Sequence, residues 1–418
     1  MTHEERRHAG FKDRTRVDAA RERLLDAVTP HDRTERVSLG RADERTLAAA
    51  VDAPRPVPGY DRAAMDGYAV RAADTFGASD RSPAVLREAG HAEDGDEVAP
   101  GEAVRVHTGS EVPAGADAVV MIEHADPVGG DVEVFDAVTE GENVGPVGED
   151  VESGQRLYEP GHELRPSDLG LLKSVGVDEV EVYEPATVGV IPTGEELVQR
   201  DPDPGEVIET NGLTVSTLVQ RWGGVPSYRD VVTDDPDALR AAIQRDLAKD
   251  LIVTTGGSSV GERDLLPEVV DGLGEVLVHG VALKPGHPVA LGVVEGTPVL
   301  MLPGYPVACI VNAVQFLRPA LRRVGGRRLD PPPTRRAVLT RKIASDPGER
   351  TFVRVRTEAA DPADGDDTPA LTATPTRASG SGVLSSVSLA DGWVVVPESR
   401  EGVDAGEVVD VEFWEWSP

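Results

Sequence analysis

Asp250-Leu251-Ile252-Val253-Thr254-Thr255-Gly256-Gly257-Ser258-Ser259-Val260-Gly261-Glu262-Arg263-Asp264 is the stretch from which the chain is best read. Residues 251–255 are rich in β-branched side chains and show no polar alternation, which predicts a strand buried on both faces. Three glycines follow within six positions, so the loop backbone can come close to a ligand. Its bare amides and hydroxyls suit a phosphate or another oxyanion. No Gly-Lys-Ser or Gly-Lys-Thr follows, which excludes a Walker A loop. Alone, the run reads equally well as a tight turn. Two similar loops nearby favour the ligand reading.

The first, Pro192-Thr193-Gly194-Glu195-Glu196, closes a predicted strand at 186–191. The second, Pro303-Gly304-Tyr305-Pro306, closes one at 299–302 and opens a helix with Ile310, Val311 and Val314 inward. Between them lie a helix from Thr210-Asn211 to Gly223-Gly224, an extended segment at 228–232 ending in Thr233-Asp234-Asp235-Pro236, and a helix burying Leu239, Ile243 and Leu247. Strands alternating with helices predict a three-layer α/β domain over 186–326 with a mostly parallel sheet. The loops at 192–196, 234–235, 256–264 and 303–306 should then converge at its carboxyl edge, where such sheets bind ligands.

Outside this domain the pattern changes. Val17, Ala20, Leu24 and Val28 share one face of an amphipathic helix, and 39–51 reads as a second helix interrupted by Gly40. Helical residues 167–175 are expected to pack back on the first helix, making 1–54 with 151–185 a helical or mixed linking domain. Short strands separated by Gly, Pro and Asp make 55–150 an inserted β-rich domain. Within it Asp66 reads either as an exposed carboxylate held by a glycine turn or as the Asp-Gly of a hairpin. The acidic cluster around His91, Glu93, Asp94, Asp96 and Glu97 lacks ligand spacing and reads as a solvated loop. After Gly325-Gly326 and Pro331-Pro332-Pro333, alternation at 351–357, 393–396 and 408–414 predicts a small β-barrel-like domain over 327–418. Residues 361–367 read as an acidic disordered loop.

Taken together, these segments resemble the molybdopterin molybdotransferase family, which includes the E domain of gephyrin. The resemblance runs over essentially the whole chain and rests on Asp61-Arg62-Ala63-Ala64-Met65-Asp66-Gly67-Tyr68-Ala69, His107-Thr108-Gly109, Gly115-Ala116-Asp117-Ala118-Val119-Val120, Pro192-Thr193-Gly194-Glu195-Glu196-Leu197, Gly256-Gly257-Ser258-Ser259-Val260-Gly261, Lys284-Pro285-Gly286, Leu302-Pro303-Gly304-Tyr305-Pro306 and Gly380-Ser381-Gly382, in the family's order. It implies four domains per chain, a homodimer, and insertion of molybdate or tungstate into adenylylated molybdopterin with Mg²⁺-assisted release of AMP.

Carried over residue by residue, the resemblance implies catalytic roles for Asp264, Asp234, Glu196 and Asp66, with Mg²⁺ on Glu196, Asp234 and Asp264. Substrate contacts fall on Thr108, Asp150, Thr193, Gly256, Gly257, Ser258, Ser259, Gly261, Pro303, Gly304 and Pro306. The oxyanion falls to Lys284, His287, Arg350 and Ser381. An upstream molybdopterin adenylyltransferase is the expected partner delivering the pterin. Three departures stand out. His287 occupies the place of the family's second lysine, Asn143-Val144-Gly145-Pro146 lacks an arginine, and Tyr305 replaces a common Asn. The alternatives are a binding or scaffold protein that keeps the fold without turnover and a related nucleotide hydrolase without molybdenum chemistry.

Composition bounds the rest. The chain has 418 residues, 39% of them hydrophobic, which suits several folded domains. A net charge of −32 argues against a nucleic-acid partner or an anionic membrane surface. The apolar run 299–317 is interrupted by Pro303, Gly304 and Pro306 and carries Asn312 and Gln315, so it does not read as a membrane span. No apolar h-region follows the charged opening, and a cytoplasmic location is expected. Cys309 is the one cysteine and lies among apolar residues, as a buried structural thiol would. Only five of the 42 basic residues are Lys, and aromatics are 4%, a composition suited to a salty cytoplasm. Since the Debye length shrinks to about 3 Å at 1 M salt, the melting temperature is expected to rise between dilute buffer and molar KCl; a flat or falling value would contradict salt adaptation.

Overall fold

A strand with no polar face can be satisfied only inside a sheet covered on both sides. In the computed structural model, Leu251–Thr255 is buried throughout and occupies the middle of a six-stranded sheet. The structure describes residues 14–91, 97–256, 265–360, 369–376 and 382–415. In spatial order the strands are Val225–Tyr228, Thr187–Pro192, Leu251–Thr255, Thr297–Leu302, Ala290–Val294 and Glu275–His279. The first four run parallel, and the last two complete the sheet antiparallel. Beyond Tyr228 the chain stays beside its neighbour, with Arg229 N donating to Val190 O and Val232 N to Pro192 O, both at 2.9 Å.

Period-two alternation divides the side chains between two cores. Val188, Val190, Leu251, Val253, Leu300 and Leu302 face one side, with Val215 and Val219 of helix Asn211–Arg221 and with the helical run from Pro306 to Val324. Ile191, Ile252, Val299 and Met301 face the other, against helices Pro236–Arg245 and Leu266–Leu273. Each such side chain contributes about 1.5–3 kcal/mol by burial, so a one-residue slip in register would exchange both faces at once.

The amino-terminal helix, Val17–Ala27, lies on the first of these cores through Val17, Ala20 and Leu24. This differs from the expectation that it meets the helix at 167–175. That helix, Pro166–Ser174, instead buries Leu172 among Val37, Leu39, Leu47, Leu164, Val180 and Val182. An apolar stripe dictates that a face is buried, not against what. The chain accordingly forms two compact units, Met1–Glu35 with Tyr183–Pro418, and Arg36–Val182.

The second unit carries a six-stranded, mostly antiparallel sheet that includes Gly67–Val70, Ala84–His91, Glu102–Val106 and Ala118–Met121. Residues 39–51 do not form the expected helix. After a single 3₁₀ turn at Leu39–Arg41, Thr46 and Leu47 pair in extended conformation with Glu163 and Val182. Pairing here overrides local helical preference. Asp66-Gly67 is not a hairpin either, because Gly67 sits in a strand between Val106 and Met121.

In the first unit, strands Thr334–Leu339, Arg350–Ala359, Leu371–Pro375, Gly392–Val396 and Val408–Glu412 close on themselves as a five-stranded barrel. Ala337, Val355, Ala373, Val394 and Val411 fill its interior. Phe352, Trp393 and Trp414 join the main α/β core, and the two indoles stack with centroids 5.0 Å apart. No helix among the described residues is long and apolar enough to cross a membrane.

Gly67 provides a direct check on the inserted sheet. A Cβ there would lie 1.9 Å from the Val120 carbonyl oxygen, whereas one on Gly40 would meet nothing within 4 Å. Gly67→Ala is expected to lower unfolding free energy in denaturant by on the order of 3 kcal/mol. Gly40→Ala should change it by less than about 0.5 kcal/mol; equal effects would contradict the strand assignment.

Candidate functional site at the carboxyl edge of the parallel sheet

Parallel register sets Pro192, Thr255 and Leu302 level with one another. The chain leaves all three strands at that height, and backbone bonds join the departing segments. Thr193 N donates to Thr255 O, Gly194 N to Val232 O and Gly256 N to Leu302 O, each at 3.1 Å. Gly256 takes φ +118°, and a Cβ there would stand 2.0 Å from the Thr193 carbonyl oxygen. A Cβ on Gly304 would in turn lie 3.4 Å from the Gly256 Cα. Thr193, Gly256 and Gly304 therefore meet at this edge, with backbone rather than side chains at the contact. Pro306 is the first residue of the following helix. Among the described residues the buried Thr193 and Thr255 hydroxyls have no hydrogen-bond partner, which leaves polar capacity beside the glycine turn.

Carboxylates border this edge. Glu196 is exposed and folds back toward Gly194, whose ideal Cβ would be 2.9 Å from Glu196 Oε2. Asp235, not Asp234, caps helix Pro236–Arg245, its Oδ1 accepting from Asp237 N at 3.1 Å and Ala238 N at 2.9 Å. Asp234 follows Val232 by two residues, and Val232 is bridged to Thr193. Among the described residues no three His, Cys, Asp or Glu side chains gather as a metal site. Asp264, Gly257, Ser258, Ser259, Gly261 and Ser381 lie outside the described residues.

Lys284 and Arg350 lie on adjacent strands, with side chains on alternate faces. Leu283–Lys284 runs parallel to the start of Arg350–Ala359, so that Leu283 pairs with Arg350 and Lys284 with Thr351. Lys284 Nζ donates to Asp346 Oδ2 at 2.7 Å, and this contact holds the Asp346 carboxyl below its usual range. Arg350 donates to both carboxylate oxygens of Asp18, at 2.9 and 2.7 Å, and contacts Glu398 at 3.1 Å. Hydrogen bonding from Arg350 depresses the Asp18 pKa, and the pairing raises that of Arg350. His287 is different. Burial first, then the positive charges of Arg14 and Lys284, push its pKa below the ordinary value.

In the second unit, Asp66 Oδ1 accepts from Thr108 N at 2.7 Å and from Thr108 Oγ1 at 2.9 Å, and His107 Nδ1 stands 3.9 Å away. The Thr108 bonds, led by its backbone N–H, hold the Asp66 pKa down. These two predicted residues thus form one exposed pair. Asp150, also exposed, is fixed through its backbone N–H to Val57 O at 3.0 Å.

Several residues at these positions escaped the sequence reading. Asn211, seen only as a helix start, donates its side-chain amide to Gly304 O at 2.7 Å. Glu209 accepts from Gly212 N at 2.6 Å and from the Tyr228 hydroxyl, whose pKa burial and Glu209 push up to about 12. Asp18, Asp346 and Glu398 lie far in sequence from the cations they hold, so no local pattern marks them. Cys309 is buried, and burial pushes its thiol pKa upward, as expected of an inert packing residue.

A doubly covered α/β sheet with a glycine-lined carboxyl edge, joined to a closed five-stranded barrel and a separate β-rich unit, defines a multidomain protein class in which small anionic ligands suit the edge. Residues 15–176 match the MoeA N-terminal region (domains I and II), 189–323 the probable molybdopterin binding domain, and 336–414 the MoeA C-terminal region (domain IV). A molybdopterin biosynthesis protein of Methanocaldococcus jannaschii is 38% identical over 93% of this chain and 94% of its own. The molybdopterin molybdenumtransferase of Haemophilus influenzae is 31% identical over 95% of this chain and 98% of its own. The crystal structure of the molybdopterin biosynthesis moeA protein from Pyrococcus horikoshii superposes with TM-score 0.82 at 34% identity, covering 97% of this chain and 100% of that one. The chain belongs to the MoeA family.

Proposed function

We propose that this chain is a molybdopterin molybdotransferase of molybdenum cofactor biosynthesis, inserting molybdate or tungstate into adenylylated molybdopterin with release of AMP. The observation carrying this reading is that one compact unit contains both a backbone-lined anion edge at Thr193, Gly256 and Gly304 and a cationic strand pair at Lys284 and Arg350. Relatives bearing the transferase name at 31–32% identity over more than nine-tenths of the chain support it.

Each part has a physical task. Amides and hydroxyls of the 192–194, 256–261 and 303–306 loops suit the pyrophosphate, since a compact anion is best met by N–H groups with no side chain between. Lys284, Arg350 and Ser381 suit a tetrahedral dianion. Arg350 must first leave Asp18, whose side chain is 65% exposed. Asp18 is the solvent-facing partner, so a doubly charged ligand can compete with it for Arg350, which stays held by the buried Glu398. Glu196, Asp234 and Asp264 are hard oxygen donors fit for Mg²⁺, which when bound neutralises charge developing on the phosphoanhydride. Asp66 and Thr108 supply a further fixed carboxylate in the β-rich unit. A homodimer and delivery of the pterin by an upstream adenylyltransferase complete the reading.

AMP release from adenylylated molybdopterin in molar KCl with Mg²⁺, with and without molybdate or tungstate, tests it. Oxyanion-dependent release is expected. Pterin binding without AMP would support the scaffold alternative, and release without oxyanion a hydrolase. The same assay addresses His287. Because its folded pKa lies below about 6.5, His287 is neutral at pH 8 and gains charge only as the pH falls beneath that value. His287→Lys is therefore expected to tighten molybdate binding several-fold at pH 8; equal affinities would remove His287 from the oxyanion site.

A further inference from the structure

Resting on that reading, we infer that Asn312 is a positioning residue for oxyanion binding, clamping the Lys284-Pro285-Gly286-His287 turn to the helix that leaves the sheet edge. Asn312 is fully buried at the end of helix Pro306–Asn312, surrounded by apolar residues. Its Nδ2 donates to Gly286 O at 3.0 Å and to Ala308 O at 2.8 Å, using both amide hydrogens. A buried polar side chain costs free energy unless its bonds are made. Asn312 Oδ1 has no partner among the described residues, so the two Nδ2 bonds alone offset that cost, and one of them reaches 26 residues back along the chain.

Gly286 is shaped to receive it. With φ +114°, its ideal Cβ would lie 2.2 Å from Asn312 Nδ2 and 3.2 Å from Ala308 O, so the turn rests directly on the helix. The next carbonyl, His287 O, accepts from Val281 N at 2.9 Å. Two consecutive carbonyls are thus held by separate donors. Lys284 is tied to the barrel by the register with Thr351, while Asn312 ties the other end of the same short segment to the α/β core. Immediately beyond Asn312 the helix widens into a π turn at Ala313–Leu317, a local irregularity of the kind found near functional positions. Losing the amide leaves the charges in place but frees the backbone that aims them, and small displacements of aimed groups are costly.

The test compares full-length wild type, Asn312→Asp, Asn312→Leu and Lys284→Ala, each checked by thermal melt. Hydrogen exchange over 283–289 reads the clamp without reference to catalysis, and steady-state kinetics read its consequence. Asn312→Asp keeps the shape but loses the two N–H donors when ionised; Asn312→Leu removes the polarity should the aspartate prove unfolded. Expected for a folded variant are faster exchange over 283–289, a five- to fiftyfold rise in molybdate KM, and a pterin KM within twofold of wild type. Unchanged exchange, or faster exchange with unchanged molybdate KM, overturns the positioning role while leaving the transferase reading intact. If Lys284→Ala leaves molybdate KM unchanged, the oxyanion assignment falls and the positioning role with it.

Discussion

The structure depends on a contact that no side chain could make. Gly256 meets the Thr193 carbonyl so closely that a methyl group would overlap it, and Gly304 approaches the same point from the third strand. Parallel strands deliver their carboxyl ends to one level, but side chains normally keep the departing loops apart. Glycine removes that separation. The loops then bond to one another through N–H and C=O groups, and the Thr193 and Thr255 hydroxyls are buried beside the junction without partners among the described residues. An edge built this way holds its backbone dipoles at fixed positions.

Charge is managed differently from shape. The chain carries a net −32, which opposes the approach of any phosphorylated ligand in dilute solution. Its cations at the barrel junction are held by its own carboxylates, Lys284 by Asp346 and Arg350 by Asp18 and Glu398. The exposed Lys284–Asp346 pair adds little, whereas Arg350 and Glu398 are largely buried, so separating them would leave an uncompensated charge. Screening at molar salt, with a Debye length of about 3 Å, would remove the long-range repulsion and leave short-range hydrogen bonds to select the ligand. Neutral His287 fits that economy, offering a polar group without a permanent charge.

Much of the fold was legible because hydrophobic periodicity is local. The 251–255 run could only be an interior strand, and the alternation at 351–357, 393–396 and 408–414 fell on three barrel strands now bounded at Arg350–Ala359, Gly392–Val396 and Val408–Glu412. Partners were not legible. Residues 39–51 have helical spacing in part, yet Thr46 and Leu47 are claimed by Glu163 and Val182 more than a hundred residues away. The stripe on the first helix announced burial, but its neighbour turned out to be the α/β core. Of the candidate site, the glycine loops were readable as strand punctuation, whereas Asn312 showed only as a polar residue inside an apolar run. Its meaning required knowing that Gly286 lies against it.

The central claim is that the carboxyl edge of the parallel sheet, with the adjoining Lys284 and Arg350 strand pair, is where pterin nucleotide and oxyanion meet. The most direct test is a crystal structure of the full chain with adenylylated molybdopterin and tungstate, the heavy metal locating the oxyanion by its anomalous scattering. The account expects phosphate density against the backbone of Thr193, Gly256 and Gly304, with the tungsten signal beside Lys284. Ligand density on another surface, or tungsten remote from Lys284 and Arg350, would contradict it.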